Sequence, residues 1–125
     1  MEQLSLTQEW DKTFPKSAKV DHCKVTFHNR YGITIAADMY VPKNAAGKLP
    51  AIAVSGPFGA VKEQSSGLYA QVMAERSFLT IAFDPSSTGE SGGSPRSVLP
   101  RCPQSQSTLW HSPGSYRTWW RRRLP

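Results

Sequence analysis

Hydrophobic and polar residues alternate in two neighbouring stretches of the first half of the chain. Val25 and Phe27 share one face of a predicted strand over residues 20–28. The apolar face of a second predicted strand, over residues 33–41, consists of Ile33, Ile35, Ala37, Met39 and Val41, and its opposite face carries Thr34, Asp38 and Tyr40. Because the intervening Asn29-Arg30-Tyr31-Gly32 has turn chemistry, the two strands are predicted to form an antiparallel hairpin.

A different pattern begins at residue 51. Ala51-Ile52-Ala53-Val54 is a continuous apolar run, typical of a strand that is buried on both faces. After a glycine-rich turn and a predicted helix over residues 66–76, Phe78 to Phe83 is a second such run and predicts another buried strand over residues 79–84. A helical crossover joins parallel strands, so this order predicts a right-handed βαβ unit.

The predicted helix has an amphipathic pattern. Ser65 or Ser66 is a candidate N-cap, because a serine hydroxyl can accept a hydrogen bond from a free amide in the first turn. The large apolar residues that share one face are Leu68, Tyr69, Val72 and Met73. The pattern predicts that this face is buried against the sheet.

Two motifs in this order resemble the beginning of an α/β-hydrolase. The first is Ser55-Gly56-Pro57-Phe58-Gly59-Ala60-Val61-Lys62-Glu63-Gln64, and the second is Asp84-Pro85-Ser86-Ser87-Thr88-Gly89-Glu90-Ser91-Gly92-Gly93-Ser94-Pro95-Arg96. The chain resembles more narrowly the bacterial dienelactone-hydrolase-like and peptidase-like members, over about residues 14–96. The resemblance implies an α/β fold, hydrolysis of ester, lactone or peptide-like acyl bonds of small molecules by the intact family, and no cofactor.

The resemblance also implies a role for the turn after residue 55. In α/β-hydrolases this turn supplies one backbone amide of the oxyanion hole, and the other amide follows the nucleophile. Pro57 has no N–H group, so Phe58 and Gly59 are the candidate donors.

The catalytic triad of the family is not complete in this sequence. Gly89-Glu90-Ser91-Gly92-Gly93 matches the G-x-S-x-G pattern, but Ser91 is an unlikely nucleophile because residues 84–88 separate it from the strand and poor helix formers follow it. No Asp or Glu follows Glu90, and His111 would be an isolated base. We therefore expect the chain to be an inactive, truncated hydrolase.

The composition changes after residue 96. Residues 97–125 contain no acidic residue, and their five arginines carry five of the six net positive charges of the chain. The sequence thus divides into a truncated hydrolase region (1–96) and a basic tail (97–125) that we expect to be disordered or translated out of frame. The alternative is a small basic protein that binds nucleic acid or an anionic membrane through its tail, with Trp119, Trp120, Arg121, Arg122 and Arg123 as the binding residues.

The remaining polar residues predict no further site. His22, His28 and His111 lack the spacing of metal ligands, so no metal is expected. Lys62 and Glu63 are interpreted as capping or solvated residues at the start of the helix rather than a catalytic pair. Two cysteines and no secretory leader indicate free thiols in the cytoplasm. Because a short sheet leaves strand edges unpaired, aggregation or degradation is expected, and self-association through these edges is the alternative.

Overall fold

The computed structural model describes residues 4–57, 59–94 and 96. These residues form a mixed sheet of four strands with one helix. The elements in chain order are β1 (Val20–His28), β2 (Thr34–Pro42), β3 (Ala51–Ser55), α1 (Ser65–Glu75) and β4 (Leu79–Phe83). Across the sheet the strands lie in the order β1-β2-β4-β3.

The predicted hairpin is confirmed. β1 and β2 pair antiparallel, with Val20 opposite Pro42 at one end and His28 opposite Thr34 at the other. The Oδ1 atom of Asn29 accepts hydrogen bonds from the amides of the second and fourth residues after it, at 2.9 and 3.0 Å. This side chain therefore holds the turn in place of a backbone acceptor.

The predicted βαβ unit is also confirmed. β3 and β4 are parallel, with Ala51 opposite Leu79 and Ser55 opposite Phe83. β4 lies between β3 and β2 and pairs with β2 antiparallel. β4 therefore joins the hairpin and the parallel pair into one sheet.

The expectation of two fully buried apolar strands is correct for β4 and wrong for β3. Every residue of β4 is buried, because this strand has a neighbour on each side. β3 lies at the edge of the described sheet, where Ala51, Ala53 and Ser55 are exposed and only Ile52 and Val54 are partly covered. Apolar side chains alone do not determine whether a strand is central or at the edge.

The helix packs on the face opposite to the predicted one. Leu68, Tyr69 and Val72 are 44%, 54% and 37% exposed, and Met73 is half-buried. The buried residues are the smaller or polar Ser66, Gly67, Ala70, Gln71 and Ala74. Small side chains allow the helix to approach the sheet closely, and the Oγ1 atom of Thr80 on β4 donates a hydrogen bond to the carbonyl oxygen of Ala70 at 2.8 Å.

The predicted N-cap is wrong as well. The N-cap residue is Gln64, one position before the two candidate serines, and it makes no side-chain capping hydrogen bond. Ser66 is instead on the buried face of the helix.

The sheet has an apolar cluster on each face. On the helix side, Tyr40 of β2 and Ala82 of β4 pack with buried side chains of α1 and of the preceding chain, namely Phe14, Val20, Ala70 and Ala74. The opposite cluster consists of Ile35, Ala37, Ile81 and Phe83. The more polar face of β2, with Thr34, Asp38 and Tyr40, is thus buried like its apolar face.

Candidate functional site

The turn after β3 contains the predicted oxyanion donors. The amide of Ala60 donates a hydrogen bond to the carbonyl oxygen of Pro57 at 3.1 Å, which closes a four-residue turn. Gly59, the third residue of this turn, is exposed and has a φ of +77°. This left-handed conformation is one that glycine adopts without steric cost. Phe58, the other candidate donor, lies outside the described residues.

The turn follows the carboxyl end of β3, and the loop follows the carboxyl end of β4. Because β3 and β4 are parallel, both segments leave the sheet at the same end of its strands. In open α/β sheets, the crevice outside the carboxyl ends of the strands is the usual place for a ligand. The Pro57–Ala60 turn therefore lies where the fold places binding groups.

A buried lysine joins the segment after β3 to the segment after β4 at this end of the sheet. The Nζ atom of Lys62 lies 2.9 Å from Oδ2 of Asp84, and the backbone amide of Lys62 donates to Oδ1 of the same carboxylate at 2.8 Å. The side chains of both residues are 0% exposed. The interpretation of Lys62 as a capping or solvated residue is therefore wrong.

Lys62 also binds two further acidic residues. Its ammonium group donates to Oε2 of Glu90 at 2.8 Å and to the carboxylate of Glu63. Glu90 is shared with Lys24 of β1, whose Nζ atom lies 2.7 Å from the same Oε2 atom. The N-terminal segment completes the arrangement, because Lys24 also binds Asp11 at 2.9 Å. We call these residues the charged cluster: Asp11, Lys24, Lys62, Glu63, Asp84 and Glu90.

Interactions within the charged cluster shift the pKa values of Glu90, Lys62 and Asp11. Burial by itself would raise the pKa of Glu90, but hydrogen bonds from Lys24 and Lys62 outweigh it and lower this pKa to about 2. Burial also opposes the charge of Lys62, yet the three carboxylates around it raise its pKa above the ordinary value. The pKa of Asp11 falls to about 2, since the hydrogen bonds from Lys12 and Lys24 outweigh the effect of its burial. These groups are all charged near neutral pH.

Three carboxylates of the charged cluster are close enough to hold a metal ion. One oxygen atom each of Asp11, Glu63 and Glu90 lies within 4.8 Å of the others. Lys24 and Lys62 already place ammonium groups against these carboxylates. The geometry is thus that of an ion-pair network in which lysines supply the positive charge.

Ser91 is buried within the loop after β4. Its side chain is 0% exposed, and its Oγ atom accepts a hydrogen bond from the amide of Ala36 on β2 at 2.9 Å. The hydroxyl donates in turn to the carbonyl oxygen of Asp84 at 2.8 Å. Ser91 therefore links the loop to the ends of β2 and β4.

The glycines of the loop allow it to fold over the Asp84 side chain. Gly89 has a φ of +52°, and a Cβ atom at this position would lie 2.2 Å from Oδ2 of Asp84. The carboxylate also accepts a hydrogen bond from the amide of Glu90 at 3.1 Å. Only glycine at position 89 leaves room for this contact.

His22, for which the sequence predicts no metal role, lies on β1 and contacts a buried carboxylate. Its Nε2 atom lies 2.8 Å from Oδ1 of Asp38, a carboxylate that is fully buried. The ammonium group of Lys12 lies 3.1 Å from the other oxygen of Asp38. The rings of Trp10 and Tyr40 pack against the His22 ring, with centroids 5.2 and 5.1 Å away. His28 lies 3.2 Å from the hydroxyl of Thr34, and His111 is outside the described residues.

Two partners of Lys62, Asp84 and Glu90, are not visible in the sequence because they lie 22 and 28 residues away along the chain. The sequence places Asp84 at the end of a predicted strand and at the start of the second hydrolase-like motif, but it indicates no partner for this carboxylate. A buried lysine and a carboxylate at a strand end are both residues that need a charged partner. The two proposed binding segments of the tail, Trp119–Trp120 and Arg121–Arg123, lie outside the described residues.

The chain is similar in sequence to longer bacterial proteins. No family model matches the chain. The chain is 77% identical over 97 residues to the uncharacterised protein PA2218 of Pseudomonas aeruginosa, which is 77% of this chain and 26% of the relative. It is 44% identical over 79 residues to the uncharacterised protein YcjY of Escherichia coli K12, which is 60% of this chain and 26% of that relative.

Solved structures show which class of fold the chain resembles. The crystal structure of PA2218 matches with a TM-score of 0.85 and 62% identity, over 100% of this chain and 37% of that one. The α/β-hydrolase GrgF of Penicillium matches with a TM-score of 0.66 and 22% identity, over 83% of this chain and 33% of that one. The described residues therefore have the fold of the N-terminal part of an α/β-hydrolase. The chain spans about a quarter of the length of the curated relatives that it matches.

Within the part of the chain that the structure describes, no helix has both the length and the hydropathy needed to cross a bilayer.

Proposed function

We propose that residues 1–96 are the oxyanion-hole side of an acyl hydrolase, and that the 125-residue chain does not itself hydrolyse acyl bonds. In a longer relative, this part would supply one backbone donor, from Phe58 or Gly59, to an ester, lactone or peptide-like substrate. The observation that carries the proposal is the Pro57–Ala60 turn, with its left-handed Gly59, at the carboxyl end of β3.

The position of the turn supports a role in stabilising negative charge. A preorganised amide contributes about 2.7–4 kcal/mol to stabilising a developing oxyanion when it is held in place before the reaction. The Pro57–Ala60 turn is closed by its own hydrogen bond and joins directly to the charged cluster through Lys62. Such a turn can present an amide without reorganisation during the reaction.

The surroundings of Ser91 support the proposal that this chain is inactive. A serine nucleophile needs an exposed Oγ atom and a base that takes its proton. The Ser91 hydroxyl is buried and donates a hydrogen bond to the backbone carbonyl oxygen of Asp84. Its two hydrogen bonds are those of a residue that stabilises a loop.

An esterase assay tests this part of the proposal. We expect the purified chain to hydrolyse p-nitrophenyl acetate and longer aryl esters no faster than buffer does, and Ser91→Ala to give the same result. Turnover that Ser91→Ala abolishes would overturn the proposed inactivity. Turnover that survives the substitution would indicate a contaminating enzyme or nonspecific surface catalysis.

The matched residues make up 26% of PA2218, so the oxyanion role is tested in that longer relative. PA2218 is screened with the same aryl esters, and proline, which has no N–H group, is introduced at the position aligned with Gly59. The control is proline at the position aligned with Gly47, since Gly47 is also left-handed, with a φ of +75°, so the fixed φ of proline conflicts with the backbone equally at both positions. We expect kcat to fall about 100-fold or more only for the first variant. Equal effects of the two substitutions would contradict the oxyanion role.

We propose further that the tail, residues 97–125, is a disrupted continuation of a hydrolase sequence. The identity to PA2218 is 77% over the 97 matched residues and 62% when the whole chain is aligned, so the additional residues are less similar. The other two reading frames of the coding DNA after codon 96 test this idea. If neither encodes a strand followed by a Ser or Cys elbow and a later Asp and His, the proposal is wrong.

The edge of β3 supports a proposal of self-association through a second copy of the chain. Among the described strands, β3 pairs with β4 alone, so its other side offers unpaired backbone groups to a further strand. Sedimentation velocity should show dimers or larger species that the exposed-edge substitution Ala53→Lys disrupts. A monomer at all concentrations would contradict this proposal.

A further inference from the structure

We propose that Asp84 and Lys62 are positioning residues of the Pro57–Ala60 turn, which they hold at a set distance from the end of β4. This inference rests on the proposed function, because the turn matters only as a carrier of the oxyanion donor. It assigns a role to a buried ion pair that the acyl-transfer chemistry does not itself use.

Asp84 accepts hydrogen bonds from the main chain on both sides of the site. Its Oδ1 atom accepts from the amide of Lys62 at 2.8 Å, and its Oδ2 atom accepts from the amide of Glu90 at 3.1 Å. The side chain is fully buried and packs directly against Gly89. A single carboxylate thus joins the segment after β3 to the loop after β4.

The amide and the ammonium group of Lys62 both bind the Asp84 carboxylate. Its ammonium group returns to Oδ2 of Asp84 at 2.9 Å, while its own amide binds Oδ1. A rotation of the backbone at Lys62 would break the hydrogen bond from its amide to Oδ1. The carbonyl oxygen of Lys62 is confined as well, because a Cβ atom at Gly67 of α1 would lie 2.2 Å from it.

Lys62 lies close to the turn along the chain. Ala60, which closes the turn by its bond to Pro57, is two residues before Lys62. The chain at Ala60 also packs back on the start of the turn, since a Cβ atom at Gly56 would lie 3.2 Å from the Ala60 side chain. The turn is therefore separated by one residue from a backbone amide that Asp84 fixes to the end of β4.

An ion pair that only stabilised the fold would not need this arrangement. Buried ion pairs are often no more stabilising than apolar residues of similar size. An apolar pair, however, could not accept a hydrogen bond from the Lys62 amide. The hydrogen bonds from main chain to Asp84 are what distinguish positioning from general stabilisation.

Residue-resolved amide exchange of the complete chain tests the proposal, with Asp84→Asn as the variant. The matched control is Asp38→Asn, because Asp38 is equally buried and its partners Lys12 and His22 lie outside the turn. We expect Asp84→Asn to accelerate exchange at Ala60 and Lys62 about tenfold or more relative to β4 amides, and to shift the Gly59 and Ala60 amide resonances. We expect Asp38→Asn to leave both the relative rates and these resonances unchanged.

A uniform acceleration in Asp84→Asn, equal at the turn and in β4, would overturn the proposal and leave a purely stabilising role. If Asp84→Asn does not fold, the same comparison is made between Lys62→Gln and Lys12→Gln, since both lysine side chains are fully buried in ion pairs. Local acceleration in Lys62→Gln alone supports the proposal, and equal profiles overturn it. The measurement needs no catalysis, so its result is independent of the esterase assays, which test the oxyanion role.

Discussion

The hydroxyl of Ser91 accepts a hydrogen bond from the backbone amide of Ala36, 2.9 Å away and 55 residues earlier in the chain. The only serine in a G-x-S-x-G pattern is therefore occupied with holding β2 to the loop after β4. A sequence pattern that elsewhere marks a nucleophile here coincides with a buried structural link.

Ser91→Ala should consequently destabilise the fold. The substitution leaves the buried amide of Ala36 without its acceptor, and unpaired buried groups cost about 1–3 kcal/mol each. Urea unfolding should show a lower free energy of unfolding for Ser91→Ala and no change for Ser94→Ala, since Ser94 is exposed. Equal stability of Ser91→Ala and the parent chain would contradict the structural role.

Gly89→Ala should be more destabilising than Gly47→Ala. Both glycines have positive φ, and a left-handed conformation costs a residue with a side chain about 1–2 kcal/mol. Gly89 has the additional clash with the Asp84 carboxylate, whereas a Cβ atom at Gly47 meets nothing within 4 Å. Thermal denaturation of the two variants tests this order, and a smaller loss for Gly89→Ala would show that the loop can move away from Asp84.

The stability of the chain should fall in acid. The pKa of Glu90 is about 2 in the folded chain and about 4.5 ordinarily, so its ionised form stabilises the fold. Because the folded pKa is the lower one, this contribution is complete above about pH 5 and is lost as the pH falls toward 2. Urea midpoints between pH 7 and 2.5 measure the effect.

Glu90→Gln should make the urea midpoint less dependent on pH in that range and lower it at pH 7. Glu9→Gln is the control, because Glu9 is exposed and outside the charged cluster. If both variants keep the pH dependence of the parent chain, Glu90 does not carry the acid sensitivity.

The composition of residues 97–125 predicts that proteases cut the chain near Arg96 or Arg101 and leave a stable product. High like charge and frequent proline disfavour a packed core. Mass spectrometry after brief trypsin treatment identifies the product. A tail that resists trypsin and binds single-stranded nucleic acid or anionic vesicles, with loss of binding when Arg121, Arg122 and Arg123 become Gln, would instead favour the basic binding protein.

Local sequence patterns predicted the elements of this fold well. Period-two alternation and the Asn29–Gly32 turn were enough for the hairpin, and two apolar runs around a helix were enough for the parallel unit. The reason is that strand and helix periodicity, together with turn chemistry, act over a few residues. The motifs around residues 55–64 and 84–96 also carried the resemblance to α/β-hydrolases, which structural comparison supports.

Tertiary packing decided the rest. α1 buries Ala70 and Ala74 and exposes Leu68 and Tyr69, because a close contact between helix and sheet selects small side chains, which a hydrophobicity pattern underrates. The insertion of β4 between β2 and β3 left β3 at the edge of the described sheet.

The partners of the candidate site were likewise not visible in the sequence. Lys62 meets Asp84 and Glu90 from 22 and 28 residues away. Ion pairs over such distances depend on how strands and loops are arranged in space, and no local spacing encodes them. The sequence by itself thus determined the elements and the class of fold, while the charged cluster and the burial of Ser91 arose only when parallel β3 and β4 brought their carboxyl ends to one edge of the sheet.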